Sequence, residues 1–120
     1  MITEDYVSYE VAKLLKEKGF NEATFYDYNE RGIRWFEEVL VNHNSQGGIA
    51  CPTLQMAMKW LREVHNIHIE VKYFFEPHIY KYTITYTPVA LDNISSHPQC
   101  FNTYEEASET AIKYCLEELI

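Results

Sequence analysis

The 120-residue sequence predicts one α+β domain spanning residues 1–120: an antiparallel sheet of about four strands with three helices packed on one face, in the order α-β-β-α-β-β-α. Three observations carry this. Residues 67–74 and 79–87 alternate in twos and face each other across a short turn, as a hairpin does. Three other stretches repeat their apolar residues at helical spacing, two of them behind a capping residue and one with a proline in its first turn. The length and the 47% apolar content suit one domain able to bury a core without metals or disulfides.

The elements follow in chain order. Ser8 offers an N-cap for a helix through Lys18, with Val11, Ala12, Leu14 and Leu15 on one side and Gly19 as its left-handed stop. ATFYDY, residues 23–28, reads as a strand and NERG as the turn after it. IRWFEEVLV, residues 33–41, fits two periods: Ile33, Trp35, Val39 and Val41 alternate as a strand, while Phe36, Val39 and Leu40 suit a short helix. We read it as strand. A polar loop over 42–50 leads to a helix with Pro52 in its first turn. Its apolar side is Leu54, Ala57, Met58, Leu61 and Val64, widened by Met56 and Trp60, so it is expected to be the most buried helix.

In the hairpin, Ile67, Ile69, Val71 and Tyr73 share one face with Tyr80, Tyr82, Ile84 and Tyr86. A long loop over 88–102 follows, with a short strand near Gln99–Phe101. Thr103 and Glu106 then have the spacing of a capping box, and Ala107, Ala111, Ile112, Cys115, Leu116 and Leu119 line one side of a helix running to the C-terminus. The expected core holds Trp60, Leu61, Ile69, Ile84 and Leu116. KLLKE at 13–17 echoes KWLRE at 59–63, too short a match to establish a duplication.

Charge narrows the function classes. The net charge is −8 and no cluster of Lys and Arg stands clear of acidic neighbours, so direct nucleic-acid binding is disfavoured. No signal-peptide pattern and no apolar run long enough to span a bilayer occur, so a cytoplasmic protein without membrane contact is expected. Cys51, Cys100 and Cys115 are an odd number at wide spacings, which reads as free thiols.

The chemical candidates are few. Cys51 precedes Pro52 near a helix start, where a helix dipole lowers a thiol pKa, but no base or oxyanion site accompanies it; in a loop-to-helix junction it should label in the native state while Cys115 stays protected. His65 and His68 are spaced H-x-x-H across a helix-to-strand change, so they do not share the helical face that a zinc motif needs. His65 should instead meet the last carbonyls of its helix, and His68 should point outward. Cys51, His65 and His68 are therefore weak reactive candidates, and no catalytic residue, metal site or cofactor is expected.

The segments YVSYEVAKLLKEKGFNE, PTLQMAMKWLREVHNIHIE and YEEASETAIKYCLEELI together resemble a group of small uncharacterised proteins encoded by gut bacteria, their prophages and phages. That resemblance implies a mobile-element setting and supplies no catalytic residue. In that group alanine precedes the proline, so Cys51 is a departure.

The expected function is a non-enzymatic accessory or interaction protein acting through a surface, on an unidentified protein partner or on a second copy of itself. With helices on one face of the sheet, the other would present Lys72, Phe74, Lys81, Thr83 and Thr85 beside His68 and Glu70. The rival surface is the acidic side of the last helix, with Glu105, Glu106, Glu109 and Glu117, which suits an acidic decoy occupying a nucleic-acid-binding site on a host protein. A small enzyme using Cys51 or a histidine ranks third.

Overall fold

A computed structural model describes residues 1–86 and 99–120, and the backbone of 93–96. The fold is α+β with antiparallel sheets. The described chain divides into two compact units, Met1–Ala57 and Met58–Ile120. The strands do not join into one sheet as expected but form two sheets of three, ordered β2-β1-β3 and β4-β5-β6. Each long strand pairs within its own hairpin, and each hairpin takes on one short extra strand.

In the first unit, α1 (Tyr9–Glu17) starts at Ser8, whose hydroxyl accepts from Val11 N, and ends before Gly19 at φ +95°. Strand β1 (Thr24–Tyr28) turns into β2 (Arg34–Val41) through Asn29, whose carboxamide oxygen accepts from the backbone N–H of Arg31 and Ile33. Gly32 sits at φ +76° in this turn, and a Cβ there would lie 2.9 Å from the Tyr9 ring, so both its conformation and its neighbour select glycine. The ambiguous 33–41 segment is thus a strand from Arg34 onward. Its pairing is irregular. Between the Tyr26–Phe36 and Thr24–Val41 pairs, β1 spends one residue and β2 spends four, Glu37 to Leu40. A turn at His43–Gln46 leads to the two-residue β3 (Ile49–Ala50), which pairs with Asp27 and Tyr28. Val7, Val11, Ala12, Leu15, Phe20, Ala50 and Cys51 are buried.

Helix α2 (Leu54–His65) opens later than the sequence suggested, beyond Pro52. Thr53 is its cap, with Oγ1 accepting from Met56 N at 3.0 Å, so Pro52 and Cys51 lie outside the helix. Its apolar stripe is also narrower than expected: Met56 and Val64 are exposed, whereas Leu54, Ala57, Met58, Trp60 and Leu61 are buried.

In the second unit, β4 (Ile67–Phe74) and β5 (Ile79–Tyr86) pair over eight rungs, from Ile67–Tyr86 to Phe74–Ile79. Asn66, at φ +53°, makes the break between α2 and β4. Strand β6 (Asn93–Ser96) joins β5. The expected short strand at 99–101 reduces to a bridge in which Phe101 and Tyr80 exchange both backbone hydrogen bonds, at 2.8 and 2.9 Å. The remainder of the 88–102 loop, at 88–92 and 97–98, lies outside the described residues.

Helix α3 (Tyr104–Tyr114) is capped by Thr103, whose Oγ1 accepts from Glu106 N, while the Glu106 carboxylate reaches Asn102 N instead of the cap's own N–H. The helix continues through a wider final turn, Cys115–Leu119, and lies against β4 and β5. Leu61, Ile84, Ile112, Cys115 and Leu116 are fully covered, and Ile69 is half-buried. Four of the five expected core residues are therefore core.

Ile84, at 0% exposure, and Val39, at 65%, mark the extremes of apolar burial in the strands. Ile84→Ala should cost about 2–5 kcal/mol in urea unfolding. Val39→Ala should stay within about 0.5 kcal/mol of the parent.

Candidate functional site

Alternation along β4 and β5 sorts their residues onto two faces. Ile67, Tyr82 and Ile84 turn inward and are buried. The other face carries the rungs His68–Thr85, Glu70–Thr83, Lys72–Lys81 and Phe74–Ile79. The structure thus brings Lys72, Phe74, Lys81, Thr83 and Thr85 together on one face, with Lys72 and Phe74 exposed and the other three half-exposed.

Lys72 and Lys81 stand directly opposite each other, an arrangement of like charges that weakens a strand pair. Both ammonium groups lean over the Phe74 ring, at 5.6 and 5.5 Å from its centroid. The ring's negative face offsets part of that repulsion and holds the two cations over one spot. Beyond it the hairpin tip exposes Tyr73 and Phe75, and the Tyr73 hydroxyl is 2.7 Å from His78 Nδ1. The result is a basic, aromatic patch on a chain of net charge −8.

The reactive candidates do not converge. Cys51 is only 1% exposed, which overturns the expectation that it would be the accessible thiol. Its backbone N–H donates to Tyr26 O and its sulfur lies 3.6 Å from Val7 O, so two flanking segments cover it. Cys115 is equally covered, and burial pushes its thiol up to about 12. Cys100 is the exposed one. His65 does not reach the carbonyls of its helix: its ring stands edge-on to Trp60 at 4.8 Å, and Nε2 is buried without a partner. His68 points outward as expected, with Nε2 3.1 Å from Asn66 Oδ1. Among the described residues, no group of three metal-ligating side chains gathers, and no helix is long and apolar enough to cross a membrane.

Two features escaped the sequence reading. Strand β2 exposes Trp35, Phe36, Val39 and Leu40 together, on both its faces. The other is the pair Asp27 and His43, whose Oδ2 and Nδ1 are 3.7 Å apart beneath the Gly47–Gly48 loop. ATFYDY held one signal, an acidic residue inside a strand of aromatics.

Compared with protein-family models, with curated proteins and with solved structures, the chain finds no match in any of the three.

Maleimide should label Cys100 first, with Cys51 and Cys115 reacting only on unfolding. Rapid native labelling at Cys51 would contradict its burial. A second test uses acid. Burial lowers the His65 pKa from its ordinary 6.5, so the fold holds the neutral ring. That contribution is complete above pH 6.5 and is lost as pH falls through the ordinary value toward the lowered one. Between about pH 7 and about pH 5, His65→Phe should therefore lose less stability than the parent chain in parallel urea titrations.

Proposed function

We propose that this chain is a non-enzymatic interaction protein, an accessory of a phage or mobile element, that engages a protein partner through the outer face of β4 and β5. The observation that carries the reading is the placement of Lys72 and Lys81 over the exposed Phe74 ring. Two cations facing each other across a rung are costly to leave alone, and an anionic group set between them relieves the repulsion. The exposed Phe74, with Phe75 following it at the hairpin tip, adds apolar area of the kind that anchors interfaces. A partner presenting carboxylates beside an apolar surface fits both.

Glu105, Glu106 and Glu117 are exposed on the far element, as the decoy reading requires. Both contacts would be charge-assisted and screened by salt, so the two surfaces are told apart by which charge reversal disrupts binding.

Affinity capture from the native host, read by mass spectrometry, tests the choice. A specifically retained protein should be lost with Phe74→Ala and with the Lys72→Glu, Lys81→Glu pair, and kept with the Glu106→Lys, Glu109→Lys pair. The opposite pattern would transfer the function to the acidic helix.

A further inference from the structure

The first unit holds a cleft that the sheet-face reading does not use. It lies between the β1–β2 turn and the Gly47–Gly48 loop, has a volume of about 560 Å³, and has Asp27 and Trp35 among its lining residues. Asp27 is on the middle strand of its sheet, directly across from Trp35 on β2 and from Ala50 on β3. Residues paired in this way project from the same side of the sheet, so the carboxylate and the indole are neighbours.

The Asp27 carboxylate lacks a hydrogen-bond donor. Oδ1 is covered and has no partner. Oδ2 is 3.7 Å from His43 Nδ1, beyond hydrogen-bond length. The other His43 nitrogen is spoken for, since Nε2 faces the Thr24 carbonyl at 3.2 Å and donates to it. A largely buried carboxylate without donors is unfavourable and calls for a group that supplies N–H.

The walls are fixed. Gly48 N donates to His43 O at 2.9 Å, and Lys16 Nζ donates to Gly48 O at 2.6 Å. A side chain at Gly48 would come within 3.3 Å of His43 O and 3.6 Å of Asp27 Oδ2, so glycine keeps that side of Oδ2 clear. Trp35 is 59% exposed, which leaves its ring open beside the carboxylate. An open indole next to an undonated carboxylate matches a planar cation that carries N–H groups. Of the rim charges, Glu30 adds attraction and Arg31 opposes it.

We propose that this cleft binds a guanidinium group, presented by an arginine side chain of a basic partner segment, which donates to Asp27 and stacks on Trp35. The net charge of −8 steers such a segment toward the chain. The site stands on the first unit's geometry and is independent of the Phe74 face.

The probe is acetyl-arginine amide, with acetyl-citrulline amide as its uncharged isostere. Trp60→Phe removes the second of the two tryptophans, so that emission reports on Trp35 alone. Acetyl-arginine amide should change that emission saturably at millimolar concentration, and the citrulline analogue should not. Asp27→Asn should weaken binding about tenfold or more. Equal response to the two probes, no saturable response, or an affinity unmoved by Asp27→Asn in a folded protein would each overturn the proposal. Should Asp27→Asn fail to fold, the exposed rim decides: Arg31→Gln should tighten acetyl-arginine amide several-fold, and an unchanged affinity would count against the site.

Discussion

A two-stranded hairpin does not hold itself together in water. That constraint shapes both units. Each hairpin presents more backbone edge and more aromatic surface than its two strands can satisfy. Each recruits a short third strand, Ile49–Ala50 on β1 and Asn93–Ser96 on β5, and the second also gains the Tyr80–Phe101 bridge. Helix α3 then covers one face of β4 and β5, where Ile84 and Leu116 are sealed from solvent. What remains uncovered follows from what the helix can reach, and the outer face with Lys72, Lys81 and Phe74 is that remainder.

The two candidate surfaces are opposite in charge. The sheet face gathers two cations around a phenyl ring, while the cleft offers an anion beside an indole. Both depend on cross-strand register. Lys72 meets Lys81, and Asp27 meets Trp35, because pairing places them on the same rung. A slip of one residue would send each side chain to the other side of its sheet and dissolve both sites.

Much of this was legible in the sequence where periodicity was strong. The Ser8 cap with the Gly19 stop, the alternating hairpin and the Thr103 start of α3 all lie where local pattern placed them. The outer sheet face was legible for the same reason, since an alternating strand sorts its residues without reference to the rest of the chain. Tertiary effects were not legible. Pro52 is compatible with a helical first turn, yet the bond from Cys51 N to Tyr26 O holds the preceding chain against β1 and delays the helix to Leu54. Val64 has the right spacing for the core and lies in the open, because spacing fixes a side of the helix and not what covers it. The Asp27–His43 pair joins residues sixteen positions apart across the β1–β2 turn and the whole of β2, a link that periodicity does not register.

The irregular stretch of β2 carries a further consequence. Trp35, Phe36, Val39 and Leu40 form an exposed run rich in β-formers, the composition of a fibril seed. Growth of a cross-β stack needs a straight edge on which each new chain can lay down a continuous ladder. Here four residues of β2 arch away opposite a single residue of β1, and the arch begins with two adjacent carboxylates, Glu37 and Glu38. The kink interrupts the ladder and the charges repel a like strand. A strand interrupted and charged in this way can keep apolar surface while offering a poor template for polymerisation.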